Sequence, residues 1–376
     1  MRKPKVVIVG AGPSGSACAL ALAMSKQAEV VLLDKSHYPR VKACGSGLSP
    51  HAISILSRLG LLPQIAPLHT PIKAMNATTP GGNHFRVSTG RDAWVVPRVE
   101  LDNRIVRTAV AFGATFHEQT KGLALLRDSD GEVRGLKTDR GDFEADLVVC
   151  ADGSPSRFSE DPSPKRTIRT LMGWWRGASF PDGEASMVWD RRLAGYYAWV
   201  FPEPGGIFNI GLTIPQEAPH AKRLKTLFQE LLDEHFAEEL CGAEQAGKWM
   251  GHPAVISTKV GKIIEARTLW VGESARLVSP GTVEGISFAL ESGVTAATHI
   301  GRHLGLQRGF SPLAQRGYQA LTSARVLPKF WAAEAFTVAM NSPTARRLGR
   351  GVIDSPASTL VERGIKHLLG NAEAIT

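Results

Sequence analysis

One local pattern constrains the fold more than any bulk property of the chain. Lys5-Val6-Val7-Ile8-Val9 is a short, continuous run of mostly β-branched residues, as found in a buried parallel strand. Gly10-Ala11-Gly12-Pro13-Ser14-Gly15 follows, and Ser16 to Ser25, rich in alanine and leucine, reads as a helix. Val30-Val31-Leu32-Leu33-Asp34 is a second strand, so the chain opens on a βαβ unit. Gly10 allows a tight exit from the strand. Gly12 lets a pyrophosphate approach the backbone, and Gly15 lets helix and strand pack closely. The helix start offers N–H groups and positive dipole to phosphate. Asp34 stands nineteen positions after Gly15, where a carboxylate can bond both hydroxyls of a ribose. This predicts a dinucleotide site without separating NAD from FAD. A glycine-rich turn in an unrelated α/β protein is the competing reading.

Composition narrows the class. With 376 residues, 43% hydrophobic and 21% charged, the chain has ample material for two or three domains and is not disordered or fibrous. Four cysteines (Cys18, Cys44, Cys150 and Cys241) are too few for a disulfide framework and show no zinc-ligand spacing. The formal charge of +9 comes from scattered basic residues. The densest groups are Lys165-Arg166-Arg169, Arg346-Arg347-Arg350 and Lys222-Arg223-Lys225. Without alternating aromatics they read as solvated surface, so no nucleic-acid partner is expected. The N-terminus lacks a signal-peptide pattern, and no apolar run reaches a membrane span. A cytoplasmic protein is expected, with contact at a membrane face left open.

Further along, residues 46–66 read as helix, with Ile53, Leu56, Leu59 and Leu62 on one stripe. Residues 72–97 read as turns and short alternating segments, and Leu101 to Phe112 as an amphipathic helix. Asp128-Ser129-Asp130-Gly131 marks a hairpin turn, and Leu147 to Ala151 a buried strand. Residues 155–166 read as a linker, and 167–214 as β-rich. The clearest hairpin there has Tyr196 to Pro202 and Ile207 to Ile214 as its arms. Residues 219–240 and Glu284 to Leu304 read as helices, with Thr268 to Gly272 a strand between them. Residues 311–376 read as helical, broken at Pro328, Pro343 and Pro356.

Two later segments favour a flavin. Asp152-Gly153 ends the strand at 147–151. Gly272-Glu273 ends the strand at 268–271 and leads through Pro280-Gly281-Thr282-Val283-Glu284-Gly285-Ile286 into a long helix. A carboxylate at Glu273 can reach a ribityl hydroxyl. Amides around Gly281 to Ile286 can face the electron-rich N1/O2 edge of a flavin, where a helix dipole stabilises the anionic reduced form. A helix capped by a β-turn is the alternative.

The order GxGxxG, Arg98-x-x-Leu101-Asp102, Asp152-Gly153-x-x-Ser156-Arg157 and the Gly272-Glu273…Pro280…Glu284-Gly285 block resembles FAD oxidoreductases built on the para-hydroxybenzoate hydroxylase plan. Within them, Tyr38-Pro39-Arg40-x-Lys42-x-Cys44-Gly45-Ser46-Gly47-Leu48-Ser49 and Tyr197-x-Trp199-x-Phe201-Pro202 look like two motifs of the geranylgeranyl reductase family. The resemblance spans roughly residues 5–300. Three positions depart from the family pattern: Glu273 replaces an aspartate, Ser46 a glycine, and Glu203 a frequent lysine.

The resemblance implies an α/β fold. A Rossmann-type FAD-binding domain would take residues 1–71, 98–160 and 260–310. An inserted β-rich substrate domain would take 72–97 and 161–259, and a helical C-terminal region 311–376. It implies cofactor contacts at Gly10, Gly12, Pro13, Ser14, Gly15, Asp34, Lys35, Lys42, Ala43, Cys44, Gly45, Arg98, Asp152, Gly153, Gly272, Glu273, Gly281, Gly285 and Ile286. Cys44, Gly281 and Gly285 would stand at the reacting centre. Tyr197, Trp199 and Phe201 share one strand face. By pattern alone that face packs on a helix; by resemblance it walls a pocket for an apolar substrate. Cys44 likewise is either buried packing or a thiol facing the flavin.

The implied activity is reduction of carbon–carbon double bonds in an isoprenoid-like substrate, with NAD(P)H as reductant. No second GxGxxG is present, so NAD(P)H would bind transiently. An FAD monooxygenase and a non-catalytic flavin sensor are the alternatives. No Gly-x-Ser-x-Gly supports a serine hydrolase, and no metal site is expected. Cys18 and Cys150 are expected to be packing residues, and Trp174-Trp175 lacks the W-x-W-x-I-P pattern of flavin halogenases.

Overall fold

A computed structural model of the chain describes residues 2–82, 84–303 and 309–342. In chain order the elements begin with β1 (Lys5–Val9), α1 (Pro13–Ser25), β2 (Glu29–Leu33), β3 (Gly47–Leu48), α2 (Pro50–Arg58) and α3 (Leu62–Ile65). Next come β4 (Thr70–Thr78), β5 (His84–Val95), α4 (Arg98–Ala111), β6 (Thr115–His117), β7 (Gly122–Arg127), β8 (Val133–Thr138), β9 (Gly141–Glu144) and β10 (Leu147–Cys150). Then follow β11 (Arg166–Arg176), β12 (Glu184–Val188), β13 (Ala198–Glu203), β14 (Ile207–Pro215), α5 (Leu224–His235), β15 (Glu244–Gln245), β16 (Met250–Ile256), β17 (Thr268–Trp270), α6 (Ile286–His303) and α7 (Pro312–Asn341).

The βαβ unit forms as its sequence dictates. β1 lies at the centre of a parallel sheet of order β17-β10-β1-β2-β6, flanked by β10 and β2. Val6, Val7 and Ile8 are fully buried, which explains an apolar run without alternation. Helices α1 and α6 pack closely because Gly293 lies against the Ser14 backbone, where a Cβ would collide with the Ser14 carbonyl. The fold is thus α/β with a Rossmann-type sheet, and a three-stranded antiparallel sheet, β7-β8-β9, lies beside it.

A larger mixed sheet runs β15-β11-β14-β13-β12-β4-β5-β3, with β16 also paired to β11. Its two faces are both apolar. Ala198, Val200, Ile210 and Leu212 pack with Leu227, Phe228 and Leu231 of α5. Met75, Met172, Met187, Tyr197 and Trp199 form a separate cluster on the other face. The strict alternation along Tyr197 to Val200 therefore serves two surfaces at once.

Several expectations are corrected. Residues 46–66 are not one helix: Gly47 and Leu48 pair with Val95 and Trp94 of β5 before α2 begins at Pro50. Residues 72–97 hold two long antiparallel strands, β4 and β5, which pair across a bulge between Ile72 and Ala74. β16 had no sequence expectation. Pro328 does not break α7, which runs from Pro312 to Asn341. Pro328 is exposed while Val326 and Phe330 are buried, so the lost N–H bond falls on the solvent side and inner packing carries the helix through. Pro343 and Pro356 lie outside the described residues.

Candidate functional site

Loops from the C-terminal ends of β1, β10 and β17 converge at one edge of the parallel sheet. Gly10 has φ +100°, and a Cβ there would strike the Ala151 carbonyl after β10. A Cβ on Gly15 would strike the Gly10 carbonyl. Gly12 differs: a Cβ there would meet only Arg40 Nη2, at 3.6 Å. Space is therefore left open at the glycine whose backbone should face a pyrophosphate. The first turn of α1, starting at Pro13 and Ser14, carries no side-chain cap and no acidic residue, so its positive end faces that space unneutralised.

Asp34, 7% exposed, accepts from the Ala11 N–H through Oδ2 and from the Ser36 N–H through Oδ1, each at 2.8 Å. A buried chain runs on from this loop. Tyr38 Oη donates to the Ala11 carbonyl at 2.7 Å, and Arg40 Nε donates to Tyr38 Oη at 2.9 Å. Arg40 Nη2 pairs with Asp102 at 3.0 Å, and Arg98 grips Asp102 through two bonds of 2.8 and 2.7 Å. Burial works against the Arg98 charge, yet Asp102 raises its pKa above the ordinary value. Burial pushes the Tyr38 hydroxyl well up, so it stays a donor. The chain fixes a guanidinium beside Gly12. Lys35, by contrast, is exposed.

The second and third loops meet at Glu273. Asp152 binds its own loop, accepting from Ser156 Oγ and from the Arg157 N–H at 2.7 Å each, and burial raises its pKa. Gly153, at φ +81°, would put a Cβ 3.8 Å from Glu273 Oε2, and Gly285 one 3.7 Å from Glu273 Oε1. Gly272, at φ +60°, sits against the Ser14 side chain, so the two glycine turns touch. Burial works to raise the Glu273 pKa, but His252, Lys42 and Arg98 together hold it low. His252 Nε2 stands 3.6 Å from Glu273 Oε2, beyond hydrogen-bond length, and this buried nitrogen has no hydrogen-bond partner among the described residues. Burial lowers the Lys42 pKa to about 8, against the pull of Glu273.

Beyond Glu273 opens a cavity of about 230 Å³. One side is the loop from Ala43 to Pro50, including Cys44 and Gly45. The second is the methionine- and aromatic-rich face of the mixed sheet, with Tyr197, Trp199 and Phe201. The third is the stretch Thr282 to Ile286 entering α6. Tyr197 Oη donates to the Thr282 carbonyl, which ties wall to helix entry. The Cys44 thiol, half-buried, accepts from the Ser46 N–H at 3.3 Å. Ser46 takes φ +64° in this turn.

The structure thus gathers Ala43, Cys44, Gly45, Glu273, Gly285, Ile286, Tyr197, Trp199 and Phe201 around one cavity. Gly10 to Gly15, Asp34, Lys42, Arg98, Gly153 and Gly272 lie along the adjoining sheet edge. Gly281 does not line the cavity: a Cβ there would strike the Ala333 carbonyl of α7. Sequence reasoning missed His252, Arg40's place beside Gly12, and Asn209. Asn209 had a signal, a polar residue inside the apolar strand Ile207 to Ile214.

Residues 3–239 match the family described as FAD binding domain. A menaquinone reductase from Mycolicibacterium smegmatis is 31% identical over 319 residues, 78% of this chain and 75% of that protein. Digeranylgeranylglycerophospholipid reductase 1 from Methanopyrus kandleri is 30% identical over 300 residues, covering 77% and 78%. A solved geranylgeranyl bacteriochlorophyll reductase-like protein from Thermoplasma acidophilum has a TM-score of 0.84 at 22% identity, over 98% of this chain and 96% of that one. With two glycine turns meeting at one sheet edge, and relatives matched over three quarters of its length, the chain belongs to the geranylgeranyl reductase family of FAD-dependent oxidoreductases.

Proposed function

We propose that this oxidoreductase reduces carbon–carbon double bonds in an apolar, isoprenoid-like substrate, with NAD(P)H as reductant. The observation that carries the reading is the cavity: an almost wholly apolar wall of Met75, Met172, Met187, Tyr197, Trp199 and Phe201 faces Cys44 and the entry of α6. Such a wall binds hydrocarbon and excludes water. The names of the menaquinone and digeranylgeranylglycerophospholipid reductases support it, since both describe reductases of prenylated lipids.

The open face at Gly12 and the uncapped start of α1 beside it, free of acidic residues, fit FAD. Gly10 to Gly15 would hold its pyrophosphate and Asp34 its adenosine ribose. Glu273, Gly285 and Ile286 would hold the flavin half. Bound there, FAD supplies two-electron transfer between donor and double bond. The remaining work falls to this chain's residues. Arg40, fixed by Asp102, places positive charge beside the phosphate loop. The start of α6 turns its N–H groups and dipole toward the site. The aromatic wall orients the substrate, and Cys44 holds a proton at Sγ for the second carbon of the double bond.

The test is anaerobic. The protein is reduced with NADPH and then mixed either with a polyprenyl acceptor or with oxygen. Fast reoxidation by the acceptor, with saturated product, is expected. Reoxidation only by oxygen, with a hydroxylated or epoxidised product, overturns the reductase reading in favour of a monooxygenase.

A further inference from the structure

Asn209 sits in β14 with no exposed surface and does not line the cavity. Its amide is nevertheless bonded to both walls of it. Oδ1 accepts from Trp199 Nε1 at 2.9 Å, while Nδ2 donates to the Cys44 carbonyl at 2.8 Å and to Glu203 Oε1 at 3.1 Å. An indole N–H can only donate and a carbonyl can only accept. The amide therefore satisfies both partners in one orientation only. Glu203 takes the other Nδ2 hydrogen and locks that orientation. The same carboxylate oxygen accepts from Trp174 Nε1 at 3.1 Å. Glu203 is also hydrogen-bonded by the Ser46 side chain, so the carboxylate that orients the amide is itself tied to the loop.

Around this bridge the fit is close. A Cβ on Gly45 would lie 3.1 Å from Trp199 Nε1, and one on Gly47 3.2 Å from the Phe201 ring. The loop carrying Cys44 is thus laid flat on the aromatics, stapled by the Asn209 amide at Cys44 and by Glu203 at Ser46. A buried amide with every hydrogen used is costly to disturb, because each lost partner leaves an unsatisfied group.

We infer that Asn209, oriented by Glu203, is a positioning residue that fixes the Cys44 loop against the Trp199 wall and so sets where the thiol stands relative to the substrate. The inference rests on the reductase reading only for the identity of that substrate.

Thiol reactivity tests the inference without turnover. Cys18 and Cys150 are buried and Cys241 is exposed, so in a Cys241→Ser background iodoacetamide reports on Cys44 alone. Asn209→Leu and Glu203→Gln are compared with that background as FAD-loaded proteins. Asn209→Leu should speed Cys44 alkylation by about tenfold, the factor matching ~1.4 kcal/mol, as the loop lifts from the wall. Glu203→Gln, which keeps an acceptor but can misorient the amide, should give a smaller rise. FAD content should hold in both, while kcat with the polyprenyl acceptor falls more than KM rises. Should Asn209→Leu fail to fold, Glu203→Gln decides alone. Unchanged alkylation in a folded, FAD-loaded variant overturns the inference. Faster alkylation in a protein that reduces no polyprenyl acceptor upholds the positioning role and removes the reductase reading.

Discussion

Lys42 shows how a single side chain can work against folding and serve the site. Burial lowers its pKa from 10.5 to about 8, although Glu273 pulls the other way. The folded protein therefore holds this proton less tightly than the unfolded chain. Stability then rises with pH between about 8 and 10.5, and the cost of the charged amine is fully present below pH 8. Replacing Lys42 by Met removes that cost. The variant should be about 1–3 kcal/mol more stable than the parent in urea unfolding at pH 7, with the gain shrinking toward pH 10.5. It should also retain FAD less well at pH 7, because the cation that offsets the Glu273 charge beside the proposed cofactor site is lost. A variant less stable than the parent at pH 7 rules out the burial argument. Motif order made Lys42 and Cys44 legible in the sequence. Arg40's place beside Gly12 was not, because it depends on Tyr38 and Asp102, sixty-odd positions apart.

Elements were legible where one local period dominated. β1, α1 and β2 could be read directly, and so could the hairpin of β13 and β14. β16 could not, because Gly251 and Pro253 interrupt its alternation; as a strand paired to β11 alone, it tolerates proline. It carries His252, so missing the strand meant missing the partner of Glu273. The pairing of α1 with α6 was invisible for another reason: it joins segments some 280 residues apart through a glycine, Gly293, with no side chain to flag it. Gly293→Ala should push α6 off the Ser14 backbone. Overpacking of this kind costs about 1–3 kcal/mol. Since α1 follows the Gly10–Gly15 turn proposed to hold the pyrophosphate and α6 enters the cavity, the melting temperature and FAD occupancy should fall together. A variant that melts lower yet keeps full FAD would show that the two helices are not coupled through the cofactor.

At the scale of the molecule, two sheets divide the work. The parallel sheet edge gathers the glycine turns, and the mixed sheet supplies the apolar wall. No helix among the described residues is long and apolar enough to cross a membrane. This division predicts that damage to the wall is separable from damage to the cofactor site. Trp199 is 4% exposed and belongs to the wall cluster, not to the parallel-sheet core. Trp199→Ala removes a large apolar surface and the indole that Asn209 holds, so it should cost a few kcal/mol of substrate binding. FAD content and the rate of anaerobic flavin reduction by NADPH should change little, while reoxidation by the polyprenyl acceptor slows by tenfold or more. Were Trp199 merely packing, melting temperature, FAD content and both half-reactions would fall in step. Measuring all four on this one variant separates the outcomes, and an unimpaired oxidative half-reaction in a stable, flavin-loaded protein would remove the β13 face from the substrate site.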